Sequence, residues 1–202
     1  MEEHFQRLYL KSNKPVLYAT LEGGHFKFGD ENGNYGKLSS TFLHRGQYVL
    51  GEWRYMAEAG KILGSVPYPL LKFIQGKEGG EYNRFEFAMM NNREYVADTY
   101  GTLFSELILN GVLFNNIPLI KHLNLREIAS FKMAYGTLSD SHSTKMDIPT
   151  PSAKFTQPYT EASVGFCNLL GVMSVQSIWR LTDLNKPNIK KWGIKFNIMV
   201  TF

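Results

Sequence analysis

The chain has 202 residues, 44% of them hydrophobic and 14% aromatic, with a net charge of +4. That length suits one domain, no run approaches the ~18 apolar residues of a membrane helix, and the small, dispersed charge with no basic stripe gives no case for nucleic acid as a partner. The single cysteine, Cys167, excludes an internal disulfide and a cysteine-based metal cluster.

The opening M-E-E-H-F-Q-R-L-Y-L has two acids at its start and no apolar core, so it does not read as a signal peptide. Residues 1–14 are read as the end of a preceding segment and residues 15–202 as a β domain. A strand side chain changes face at every residue, and that alternation marks eight segments. The first runs from about Val16 to Phe28, with Leu17, Ala19 and Leu21 opposite Tyr18, Thr20 and Glu22. G-D-E-N-G-N-Y-G (29–36) is dense in turn formers. The second covers about Lys37 to Arg45, with Leu38, Ser40 and Phe42 opposite Lys37, Ser39 and Thr41. After G-Q-Y-V-L-G-E, the third spans about Trp53 to Leu63, where Trp53, Tyr55, Ala57 and Ala59 oppose Arg54, Met56, Glu58 and Gly60.

Ser65 to Arg93 is a long excursion containing P-Y-P-L-L-K-F, G-K-E-G-G-E-Y and F-E-F-A-M-M-N-N. Such connections are uncommon in compact soluble domains and ordinary on the outer side of a membrane barrel. The fourth segment, about Tyr95 to Asn110, sets Ala97, Thr99, Gly101, Leu103, Ser105, Leu107 and Leu109 against Asp98, Tyr100, Thr102, Phe104, Glu106 and Ile108. F-N-N-I-P-L-I-K-H-L-N turns the chain. The fifth, about Leu125 to Leu138, places Ala129, Phe131, Met133 and Tyr135 opposite Arg126, Ser130, Lys132 and Gly136. Glu127 falls on its apolar face near one end, which suits a membrane interface or a bulge. Residues 139–158 are polar and proline-containing, a second long loop.

The sixth segment is Tyr159 to Asn168, and L-L-G-V is a tight turn. The seventh, about Met173 to Thr182, has Val175, Trp179 and Leu181 against Gln176, Arg180 and Thr182. The eighth follows D-L-N-K-P-N-I-K and alternates almost without fault from Lys191 to Phe202. Trp192, Ile194, Phe196, Ile198, Val200 and Phe202 share one face; Gly193, Lys195, Asn197, Met199 and Thr201 share the other. A tilted strand crosses a bilayer in roughly 9–11 residues, so this length suffices. A terminal strand that alternates and ends on Phe resembles the one by which outer-membrane barrels are recognised for insertion.

With eight strands, the connections after the first, third, fifth and seventh fall on one side, and the two longest are among them. Long loops on one side and short turns on the other are the asymmetry of an outer-membrane barrel. Charges should then point to the lumen, because lipid-facing Lys or Arg at mid-depth costs about 2–4 kcal/mol. The alternation puts Arg54, Glu58, Asp98, Glu106, Arg126, Lys132, Glu161, Arg180 and Lys195 on the polar face. Their mixed signs predict lumenal ion pairs rather than a selectivity filter.

Five histidines, His4, His25, His44, His122 and His142, form no H-E-x-x-H or i,i+4 pair. No metal or cofactor site is expected. Ser139, Asp140, Ser141 and His142 contain the letters of a hydrolase triad, but a triad is a spatial constellation with an oxyanion hole, and the run reads as the start of a polar loop. G-K-E-G-G (76–80) lacks the spacing of a phosphate-binding loop.

Five stretches together resemble one known family: M-A-E-A-G-K-I-L-G-S-V-P-Y-P-L-L (56–71), L-I-L-N-G-V-L-F-N-N-I-P-L-I-K-H-L-N-L-R-E (107–127), Y-G-T-L-S-D (135–140), P-Y-T-E-A-S-V-G-F (158–166) and W-R-L-T-D-L-N-K-P-N-I-K-K-W-G-I-K-F (179–196). It is the outer-membrane family of unassigned function with an N-terminal carboxypeptidase-regulatory-like domain and a C-terminal barrel, itself distantly similar to surface-antigen barrels of protein insertion and translocation. The resemblance covers about Lys14 to Phe202 and implies the C-terminal part of such a barrel, with no peptidase activity and no catalytic residues carried over. It also implies the outer membrane of a Gram-negative bacterium.

The expected fold is all-β, an antiparallel up-and-down transmembrane barrel or half-barrel of about eight strands. The expected role is structural, pore-forming or insertion-related, without catalysis. Its partners would be outer-membrane lipid, the barrel-assembly machinery during insertion, and the remaining strands and periplasmic domain of a parent chain. Two rivals remain. A soluble ligand-binding barrel requires the outward faces to be buried. An outer-membrane enzyme requires Asp140, His142 and Asp147 to converge with a carboxylate from 65–93.

Overall fold

The computed structural model describes residues 14–29, 31–76, 85–139, 142 and 148–198. Val200 and Phe202 of the expected terminal strand, and Asp140 and Asp147 of the enzyme reading, lie outside the described residues. Eight strands form one antiparallel sheet: β1 (Val16–Phe28), β2 (Glu31–Tyr48), β3 (Gly51–Leu63), β4 (Thr99–Leu109), β5 (Arg126–Thr137), β6 (Tyr159–Leu169), β7 (Met173–Arg180) and β8 (Trp192–Ile198). Each pairs with the next in sequence, an uninterrupted meander. The sheet is not closed, since β1 and β8 stand at opposite edges.

The register gives every strand a consistent pair of faces. Leu17, Phe42, Ala57, Leu103, Met133 and Thr160 follow one another across β1 to β6. Ala162, Trp179 and Trp192 continue the same face across β6 to β8. On this outer face Leu17, Leu21, Leu38, Trp53, Phe131, Met133, Tyr135, Val164, Trp179, Ile194 and Phe196 are exposed. Among the described residues nothing covers them.

β2 begins at Glu31, six residues earlier than the turn-rich 29–36 stretch suggests. Aromatic rings account for the difference. Tyr35 pairs with Gly24 across the hairpin and lies over it, so that a Cβ at Gly24 would meet the ring at 2.8 Å. Phe26 covers its own partner Gly33 in the same way. A ring lying on a strand glycine supplies the packing the glycine lacks.

The described residues of the excursion between β3 and β4 fold back on the inner face of the sheet. Its Lys72–Phe73 pairs with Val96–Ala97 in a two-residue ribbon. The alternation read as one strand from Tyr95 therefore leaves the sheet before Thr99. Ile74, Phe87, Met90 and Tyr95 of the excursion pack with Phe104, Ala134 and Tyr159 of the sheet. Val66, Leu71 and Val96 pack with Ile62. The core thus lies between the inner face and the chain's own inserted loop. Residues 148–158 join it: Ala153 bridges to Tyr95, and Phe155 stacks on the Tyr95 ring at 4.3 Å. No helix among the described residues is long and apolar enough to cross a membrane.

Candidate functional site

The register aligns three charges side by side on the inner face. Lys132 of β5 pairs with Glu161 of β6, and Glu161 pairs with Arg180 of β7. Opposite charges directly across strands attract, and all three are buried, Glu161 to 1% exposure. Each also grips the inserted segment.

The Lys132 ammonium donates to the carbonyl of Glu86 at 2.6 Å. The Glu161 carboxylate accepts backbone N–H groups from Ala88 at 2.9 Å, Met89 at 2.6 Å and Met90 at 3.1 Å, and the Tyr159 hydroxyl at 2.6 Å. Arg180 makes a two-pronged pair with Glu94, at 2.6 and 3.0 Å, and lies over the Tyr159 ring at 4.6 Å. A carboxylate receiving several backbone N–H bonds is the arrangement that makes a buried anion tolerable. The row therefore serves as a clamp for residues 86–94.

The inserted segment carries a second polar cluster at its outer end. Tyr95 donates its hydroxyl to Asp183, which also accepts from Gln157 at 2.7 Å and pairs with Lys186 at 3.1 Å. Burial works against ionisation of Asp183, but these donors outweigh it and hold its carboxyl below the ordinary value. Burial, with the neighbouring carboxylates, pushes the Tyr95 phenol up, so it stays a hydrogen-bond donor.

The other inward residues also fall into pairs. Arg54 meets Glu52 and, at 3.4 Å, Glu106. Glu58 accepts from Lys72 at 2.8 Å and from the Tyr100 hydroxyl at 2.7 Å. Lys195 stands on the same face, opposite Gln176. Arg126 differs: it is exposed at the strand end and donates to the Asn110 side chain at 3.0 Å. Beside β1 to β3 a cavity of about 450 Å³ opens, lined by Glu22, Lys37, Glu58, Lys72, Arg93 and Tyr100. Its charges are largely engaged with one another, as in the Lys37–Glu22 pair at 3.8 Å.

Asp98 lies where the excursion rejoins the sheet. It accepts the backbone N–H of Ser139 at 2.7 Å, the Ser139 hydroxyl, and His142 Nδ1 at 3.0 Å. Burial opposes its ionisation, yet these bonds prevail and lower its pKa. His142 Nε2 accepts the backbone N–H of Val66 at 3.0 Å, which assigns the ring proton to Nδ1. The imidazole nitrogen a serine hydrolase would use as base is thus occupied, and the Ser139 hydroxyl is turned to the carboxylate. Serine, histidine and aspartate do meet here, but as a staple between the two long loops. Among the described residues no group of three or more His, Cys, Asp or Glu is arranged to hold a metal.

Of the terminal-strand residues, Trp192, Ile194, Phe196 and Ile198 lie on the outer face and are exposed. The indole N–H of Trp192 donates to Ser177 at 2.6 Å, and that of Trp53 to Ser105 at 2.8 Å. Sequence reasoning missed Glu52, Glu86, Glu94, Tyr95 and Tyr159. The signal was available in F-E-F-A-M-M (85–90), which is too apolar for a water-facing loop.

No curated protein and no solved structure matches the chain. Residues 1–143 match the C-terminal domain of a family of unknown function, DUF5686, and the chain, most of whose length that match covers, belongs to this family.

Proposed function

We propose that this chain is the C-terminal half of an outer-membrane β-barrel whose lumen is obstructed by its own inserted loop. The observation that carries this is the contrast between faces. The apolar outer face is bare, while the charged inner face is covered by residues 85–98. Moving one such Leu, Ile or Phe side chain from water into lipid contributes roughly 1.5–3 kcal/mol, so the bare face calls for an apolar surrounding. The indole N–H groups bonded to neighbouring serines fit the same setting, since lipid offers them no partner.

The two open edges call for further strands. We assign these to the preceding part of the parent chain, together with a carboxypeptidase-regulatory-like domain on the short-turn side. The likeness to surface-antigen barrels favours a role in insertion or translocation, or as an outer-membrane anchor, over a constantly open pore: the segment at 85–98 stands where channel water would be. A soluble ligand-binding barrel needs the opposite arrangement, with the apolar face enclosed.

The test is reconstitution of the full-length protein in lipid vesicles. The membrane reading expects a β-rich species whose gel mobility shifts on heating, with β8 protected from protease. A monomer that folds cooperatively in water without detergent overturns it.

A further inference from the structure

We propose that residues 110–124, the connection between β4 and β5, form an interfacial lipid anchor seated in the leaflet on the short-turn side. This rests on the membrane reading above. The segment is N-G-V-L-F-N-N-I-P-L-I-K-H-L-N. Val112, Leu113, Ile117, Leu119 and Leu123 are all exposed, Leu119 to 87%. Clustered exposure of this kind marks an interaction surface.

The segment is ordered rather than loose. Phe114–Asn116 and Lys121–Leu123 are short 3-10 turns. Backbone N–H groups of Asn115, Asn116, Ile117, Ile120, Lys121, Leu123 and Asn124 bond to carbonyls within it. The amides of Asn115 and Asn116 turn back on the carbonyls of Asn110 and Val112, at 3.2 and 2.7 Å. Water would satisfy these groups without help. A segment entering a poorly hydrated layer must satisfy them internally.

Its attachment points towards lipid. Glu127, on the outer face of β5, accepts the N–H groups of Leu113 at 2.8 Å and Phe114 at 2.7 Å. The Phe114 ring packs edge-on against Phe166, another outer-face residue, at 6.4 Å. The segment is therefore continuous with the bare apolar face and not folded over the lumen. The acid that alternation places on the lipid side is capped by it.

The neighbouring turns extend the same surface. Asn110 N–H bonds to the Leu50 carbonyl at 3.0 Å, and the Asn168 amide to the Asn124 carbonyl at 2.8 Å. Val49, Leu50 and Leu170 at those turns are exposed as well. Lys121 and His122 are exposed in the last turn of the segment, and an interfacial cation meets headgroup phosphate there.

The test is depth-resolved quenching on the full chain in phosphatidylcholine vesicles. Leu119→Cys and Phe196→Cys are each labelled with bimane in a Cys167→Ser background. The anchor predicts loss of Leu119-site fluorescence with lipids brominated near the headgroup, little loss to aqueous iodide, and loss at the Phe196 site with lipids brominated deep in the chain. Full iodide quenching at 119 with lipid quenching kept at 196 overturns the anchor and leaves the membrane reading standing. Shielding of 119 from both quenchers means a protein covers the surface, and overturns the anchor too. Absence of lipid quenching at 196 brings down the membrane reading itself.

Discussion

The Glu161 carboxylate accepts the backbone N–H of Met89 at 2.6 Å, so a side chain of β6 completes the hydrogen bonding of a loop that leaves the sheet three strands earlier. Two neighbouring N–H groups converge on the same carboxylate. Glu161→Gln keeps the size of the side chain but replaces one acceptor oxygen with an amide that points hydrogens at donors. Hydrogen bonds to a charged group are worth about 1.5–3 kcal/mol, so a loss of that order is expected. It should show as a lower temperature of heat modification and faster proteolysis within 85–98. An unchanged cleavage pattern would mean that Glu161 does not hold the loop.

Arg180 and Glu94 are each buried, and neither has water to fall back on. Removing one partner strands the other charge, at about 3–5 kcal/mol. Arg180→Met and Glu94→Leu should therefore each destabilise strongly. The double variant should recover much of the loss, because an apolar pair leaves no orphaned charge. Chemical denaturation of the four proteins gives the coupling, and strict additivity would refute the pairing.

Phe196 and Asn197 are neighbours on β8 with opposite faces. If the outer face meets lipid as proposed, Phe196→Arg places a charge in the bilayer, with an expected cost of about 2–4 kcal/mol. Asn197→Arg places the same charge beside Ser174 on the inner side, where it is tolerated. Membrane-inserted fractions of the two variants should diverge; equal insertion would contradict the assignment of faces.

Asp98 and Asp183 have folded pKa values lowered below the ordinary carboxylate value. A depressed carboxylate contributes stability that is complete above its unfolded pKa of about 3.9 and is lost as pH falls through the lower folded value. Loop anchoring should hold steady down to about pH 5 and weaken below about pH 4. Asp98→Asn should be weaker at neutral pH and show a flatter acid response. Protease sensitivity of 139–158 across that range is the readout.

Faces were the legible part of this chain, because alternation has a period of two and a slip of one residue would invert every side chain. Glu58, Lys132, Glu161, Arg180 and Lys195 share one face of the sheet. Boundaries were harder where chemistry works at a distance. The start of β2 depends on Tyr35 and Phe26 covering glycines on the neighbouring strand, and only the pairing brings them together. The inserted loop was less legible still. Its anchors, Lys132, Glu161 and Arg180, lie 46 to 86 residues away from their partners. Glu127, an apparent exception on an apolar face, is explained by the backbone it caps.

The clamp on residues 86–94 also sets an order of events. The loop joins β3 to β4, yet the three charged side chains of the clamp belong to β5, β6 and β7. Closing so long a connection costs chain entropy before any contact offsets it. The clamp can therefore close only after the later strands have paired, and its closing marks completion of this part of the sheet. Until then the loop's apolar residues and the charged row are both unsatisfied, so an assembling chain and a finished one present different inner surfaces to whatever handles them.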